Sequence, residues 1–202
     1  MIRDDSKQVL LSVFGVALLI VAIVGISYAI FVFSVKSRVD NTVRSGGITF
    51  EYLEGDSVID INDALPVSDE IGEKQTKSFD FKISSAIRGN TTVFYEVRAK
   101  SLTVENKIDN QYVKIYLEKK NGSDFSSILS PTTFKDNPNT SLANISVDPN
   151  TMLLYSGNFS GKKATTINYS DEFRLRMWLS DKYSIDDVAR SFKIKVLVYA
   201  SM

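Results

Sequence analysis

The hydrophobic pattern changes character once along this chain. Val9 to Ile26 reads VLLSVFGVALLIVAIVGI, eighteen residues without a charge. At about 1.5 Å per residue this run nearly spans a hydrocarbon core of about 30 Å. The apolar character continues through Ile30, Phe31, Val32, Phe33 and Val35 before Lys36 and Arg38 appear. A surface helix needs one apolar stripe, not an apolar circumference. The run therefore predicts an N-terminal membrane helix with the lipid bilayer as its partner.

Beyond it the period becomes two, the mark of half-buried strands. Phe79, Phe81 and Ile83 alternate with Asp80 and Lys82; Val93, Tyr95, Val97 and Ala99 alternate with Glu96, Arg98 and Lys100. The same holds for Val113, Ile115 and Leu117, for Phe173, Leu175, Met177 and Leu179, and for Phe192, Ile194, Val196 and Val198. Ile48–Glu54, Met152–Ser156 and a weaker Val58–Ile61 add further strands, and only Ser184–Ser191 carries a helix-like signal. An apolar phase against a charged phase predicts sheets with one wet face, hence an all-β, two-sheet antiparallel sandwich of seven to nine strands. Residues 40–47 (DNTVRSGG) read as a flexible hinge; residues 55–77 and the Pro-, Ser- and Asn-rich 119–151 read as long loops, which are commonly functional or mobile.

The expected organisation is a short cytoplasmic stretch (1–8), a signal peptide or membrane helix (9–29, extending to 35 if uncleaved), a membrane-proximal strand and hinge (30–47), and the sandwich (48–202). Charge does not orient the segment, since Arg3 and Lys7 precede it while Lys36, Arg38 and Arg44 follow. Eight residues cannot form a domain, whereas a large following domain translocates largely regardless of charge. The sandwich is therefore placed outside the cell. Two readings of the segment's end stay open. A helix continuing to Val35 would be a permanent anchor; alternatively Ser27 and Ala29 supply the small residues that signal peptidase needs, releasing the protein to the cell surface.

Composition narrows the chemistry. The chain has no Cys and no His, which removes disulfides, Ser-His triads and His-ligated zinc. Lys plus Arg equals Asp plus Glu at 24 each, and a balanced surface lacks the basic stripe of a nucleic-acid binder. No catalytic residue, cofactor or nucleic-acid partner is predicted. Asp60, Asn62, Asp63 and Asp69 are weak Ca²⁺ candidates without EF-hand spacing, and solvated loop carboxylates are the simpler reading, as for Asp181, Asp186 and Asp187. Asn90, Asn121, Asn139, Asn144, Asn158 and Asn168 lie in N-x-S/T sequons, read here as markers of polar loops. Trp178 falls in the polar phase of its strand, either as a partner contact or covered by the 119–151 loop.

Several segments, taken in order, resemble the camelysin/TasA-like family of exported β-sandwich proteins of Gram-positive bacteria. They are Gly25 to Phe31 at the export signal, Gly47–Tyr52, INDALPVSDEIG (Ile61–Gly72), LLYSGNFSG (Leu153–Gly161), FRLRMWLSD (Phe173–Asp181) and FKIKVLVYA (Phe192–Ala200). The resemblance implies an Ig-like or jelly-roll sandwich, a cell-surface or biofilm-matrix location and, in some members, fibre assembly by strand donation. The assembly candidates are then Ile30, Phe31, Val32, Phe33 and Val35, as a donated strand. Camelysin-type members have been described as metal-dependent proteases, an activity not carried over to a chain without His. The expected function is a non-enzymatic structural or adhesive surface protein; the alternative is an anchored ligand-binding subunit using the 55–77 and 119–151 loops.

Overall fold

The computed structural model describes residues 15–16, 41–45, 48–54, 59–62, 64–163, 165–185 and 189–202. The chain divides into two compact units, Met1–Val39 and Asp40–Met202. In the first, the described Gly15 and Val16 are helical; Ser27, Ala29 and the 30–35 stretch lie outside the described residues. No described helix is long and apolar enough to cross a membrane.

The second unit is all-β. Among the described residues ten strands run β1 (Asn41–Ser45), β2 (Ile48–Glu54), β3 (Ile59–Asn62), β4 (Phe79–Arg88), β5 (Thr92–Ser101), β6 (Val113–Asn121), β7 (Asp124–Thr133), β8 (Thr151–Ser160), β9 (Thr166–Leu179) and β10 (Ser191–Ser201), where seven to nine are expected. Between β3 and β4 lies a single helical turn, α1 (Asp69–Gly72). One sheet has the order β1-β2-β4-β9-β6-β7 and the other β3-β10-β5-β8, with every strand pairing antiparallel. The inward phases of both sheets merge into one core: Ile83, Leu117, Phe173 and Leu175 from the first meet Val97, Phe192, Ile194 and Val196 from the second. Rings also bridge the layers, with Tyr155 and Phe173 centroids 5.3 Å apart.

Three expectations about the backbone change. Residues 41–45, read as hinge, form the edge strand β1 on β2; the β-branched Thr42 and Val43 suit that role. The 119–151 stretch is not one loop, because β6 runs to Asn121 and returns as β7 through a turn carrying Gly122 at φ 66. Pro131 misled the reading, but an edge strand tolerates a residue without an N–H. The helix-like signal at 184–191 yields irregular backbone at Ser184, Ile185, Ala189 and Arg190, with strand from Ser191 and 186–188 outside the described residues.

Trp178 is 2% exposed, but the 119–151 segment is not its cover. The stretch before β4 folds over the outer face of the larger sheet: Val67 donates its N–H to the Leu179 carbonyl at 2.9 Å, and α1 packs on the indole. The Trp178 Nε1–H donates to Asp69 Oδ1 at 3.3 Å, and Lys114 bonds the other oxygen of the same carboxylate at 3.3 Å. Gly72 makes this approach possible, since a Cβ there would lie 2.2 Å from Trp178 Cε2. Gly72→Ala should therefore lift α1 off the ring and cost about 1–3 kcal/mol, the usual range for overpacking. Trp178 is the only Trp in the chain, so its emission should shift to longer wavelength; unchanged emission and stability would refute this packing.

Candidate functional site

The most concentrated polar chemistry in the sandwich lies on β5. Glu96 and Arg98 belong to the phase predicted to face water, yet they are 1% and 0% exposed. The 134–150 segment crosses this face and buries them. Arg98 Nε donates to Glu96 Oε2 at 2.8 Å. The rest of the guanidinium reaches the loop backbone, donating to the Asn137 carbonyl at 2.6 Å and to that of Asn139. The carboxylate accepts from the Ser141 N–H and Ser141 hydroxyl at 2.9 Å each, and from Thr140 Oγ1 at 3.0 Å. Burial pushes the Glu96 carboxyl up, but the Ser141 amide, Ser141 and Thr140 hydroxyls and Arg98 together hold it below the usual carboxylate range. Leu142 and Phe134, both buried, complete the docking of the segment.

A second network lies between the sheets. Asp171 shares the inward face of β9 with Phe173, and Lys119 shares that of β6 with Leu117. Lys119 Nζ sits 2.9 Å from Asp171 Oδ2 and 3.2 Å from the Tyr155 hydroxyl, over the Tyr155 ring at 5.1 Å. The Tyr95 hydroxyl, from the opposite sheet, donates to Asp171. Burial and the Asp171 carboxylate push the Tyr95 phenol far above its ordinary range. Burial works against the Lys119 charge, but Asp171 and Tyr155 overcome it and raise its pKa. On the outer face, Arg174 grips Asp80 through two bonds of 3.0 and 2.8 Å and holds its carboxyl low, while Lys120 does the same for Glu172.

The shifts at Glu96, Asp80 and Glu172 favour the carboxylate, that at Lys119 the ammonium and that at Tyr95 the neutral phenol. A general acid or base is tuned the other way, toward the working pH. The Ca²⁺ candidates are likewise engaged or dispersed. Asp60 is paired with Lys77 at 3.1 Å and accepts from Asn62 at 2.6 Å, Asp69 is taken up by Lys114 and the Trp178 indole, and Asp63 lies outside the described residues. Among the described residues no group of three or more acidic side chains is gathered to hold a metal ion.

Sequence reasoning missed the Tyr95–Lys119–Tyr155–Asp171 network, although a signal was present. Lys119 continues the inward phase of Val113, Ile115 and Leu117, and Asp171 precedes Phe173 by two. A lysine and an aspartate that extend two inward phases invite pairing.

No family model and no curated protein matches the chain. Two solved structures are similar in part. One is the infectious bursal disease virus VP2 subviral particle, at 9% identity and TM-score 0.36 over 81% of this chain; the match spans 37% of the capsid chain. The other is TmCBM61 in complex with β-1,4-galactotriose, at 11% identity and TM-score 0.24, covering 75% of this chain and 82% of that one.

Removing one partner of a buried pair strands the other charge, so Glu96→Gln or Arg98→Met should cost about 3–5 kcal/mol. Because the folded-state pKa of Glu96 is depressed, its contribution is present above the usual carboxylate range and lost as pH falls through the folded value. Denaturant titrations from pH 7 down to pH 3 should thus show a shallower acid loss in Glu96→Gln than in the parent. Parallel curves of equal height would contradict the assignment.

Proposed function

We propose that this chain is a non-enzymatic surface protein whose Asp40–Met202 sandwich acts by protein–protein contact outside the cell, tethered or exported by its Val9–Val35 segment. The carrying observation is the register of β1. Asn41 pairs with Tyr52 and Ser45 with Ile48. β2 ends at Glu54, two residues beyond Tyr52. β1 is thus an edge strand whose partner runs only two residues past its first pair, and in sequence it follows the strand-forming stretch from Ile30 to Val39. Such a stretch suits addition to a sheet edge of another subunit, where backbone hydrogen bonds supply affinity and side-chain pockets give selectivity. Because donor and acceptor surfaces differ, the contact is open-ended and builds filaments.

The non-enzymatic part of this reading draws on the shifted ionisable groups, none of which is poised for proton transfer near neutrality. An Ig-like or jelly-roll assignment of the sandwich, the exported location and the matrix role follow the resemblance to the camelysin/TasA-like family and belong to the same proposal. The ligand-binding alternative relies on open loops, whereas 64–77 and 134–150 are bonded down onto the two sheets.

The test compares chains beginning at Ile30 and at Asp40, both retaining β1, by light scattering and electron microscopy. Filaments formed only by the longer chain are expected. If both remain monomeric across concentration while the full chain stays detergent-dependent, the segment is an anchor and the assembly reading fails.

A further inference from the structure

We infer that Asn121 is a site of spontaneous deamidation, through attack of the Gly122 backbone nitrogen on its side-chain carboxamide. The inference does not depend on where the protein resides, because the only co-reactant is water. Of the twelve Asn in the chain, Asn121 alone is followed by Gly. A side chain on the following residue crowds the ring that must close, and Gly has no Cβ to do so. Elsewhere the step is blocked or hindered. Asn137 precedes Pro138, whose nitrogen carries no hydrogen to give up, and the other ten precede residues with side chains. The Asn62 carboxamide is in addition tied to Asp60.

The fold leaves the same step open. Asn121 and Asp124 form the last pair of the β6–β7 ladder, and Gly122 and Ser123 make the turn between them. Gly122 lies at φ 66 and Ser123 outside the left-handed region, the pattern of a type II′ turn with Asn121 at its first position. Asn121 to Asp124 are all exposed. A Cβ at Gly122 would meet no atom within 4 Å, so a ring has room to form and water reaches it. On its other side β6 pairs with β9 only as far as Lys119. Asn121 is thus held by one partner at the end of one ladder. Fraying of the hairpin tip alone lets its Cγ approach the Gly122 nitrogen.

In the reaction the Gly122 amide gives up its proton and its nitrogen forms a bond to Asn121 Cγ. The carboxamide Cγ–N bond breaks, and ammonia leaves carrying that proton. The five-membered succinimide then takes up one water at either of its carbonyls. Opening at one gives an ordinary aspartate. Opening at the other gives isoaspartate, which carries the chain through its side chain and adds one methylene to the β6 backbone. Either product places a negative charge directly across from Asp124, and like charges in opposed positions destabilise a strand pair. The added methylene also upsets the register that a two-residue turn fixes. β7 is the last strand of its sheet and is held by β6 alone, so the modification loosens that edge.

The test ages the full chain in detergent micelles, in heavy-oxygen water at neutral and at mildly alkaline pH, and maps its peptides by mass spectrometry. Conversion of amide to acid, with one heavy oxygen taken up, is expected at Asn121 before any other Asn and at a rate that rises with hydroxide concentration. Asn121→Gln should abolish this first conversion and the ammonia it releases. Aged protein is expected to exchange its β7 amides faster than fresh protein, and faster than Asn121→Asp, which adds the charge without the methylene. An Asn121 that survives while another Asn converts, or while the chain unfolded in denaturant converts fully, overturns the site. Equal β7 exchange in fresh and fully converted chains overturns the loosening of the edge.

Discussion

The buried Glu96–Arg98 pair is the interaction on which the outer architecture of the sandwich depends. Two opposite charges two residues apart on one strand face would ordinarily stand in water and contribute little. Here each also bonds the backbone or hydroxyls of the 134–150 segment, so the pair and its covering loop exist only together. Burying the pair without Ser141, Thr140 and the Asn137 carbonyl would leave charges unsatisfied at a cost of several kcal/mol. Laying the loop down without the pair would leave its own polar groups unmatched. Leu142 and Phe134 add apolar anchorage on either side.

The larger sheet follows the same logic with different chemistry. Its outer face is covered by 64–77, held through Asp69 to Trp178 and Lys114 and through Arg176 to the Gln75 carbonyl at 2.9 Å. Each sheet therefore has part of its nominally wet face turned into a second, smaller interior. Between the sheets, Tyr95, Asp171, Lys119 and Tyr155 tie the layers together where the aliphatic core gives way to polar side chains. The two covering segments, 64–77 and 134–150, are thus fastened to the sheets, whose edges among the described residues are β1 and β7 in one and β3 and β8 in the other. Open sheet edges of this kind are where the proposed contact with other polypeptides would form.

Period-two patterning made the strands legible, because the apolar phases of Phe79 to Ile83, Val93 to Ala99 and Phe192 to Val198 all turn inward and little else can satisfy them. What the pattern could not reveal was any feature created by a second layer over the outer face. Glu96, Arg98 and Trp178 look solvent-facing from their own strands, and only the distant Ser141 and Gly72 make them interior. β7 was hidden for a related reason: Ser126, Ser127, Ser130 and Pro131 have no strand signature, and the segment is held as an edge by its pairing with β6. Lys119 and Asp171 were legible in principle, as polar residues continuing inward phases, but not as partners.

The most direct measurement of the central claim is amide hydrogen exchange at Ser141, whose N–H is donated to Glu96 rather than to any strand. If the clamp is as described, this loop amide exchanges about as slowly as the β5 amides beside it, far below the rate of an unstructured chain. Exchange of Ser141 at the rate of the exposed residues around it would mean that the segment is not fastened to the sheet, and that Glu96 and Arg98 are not what holds the outer layer in place.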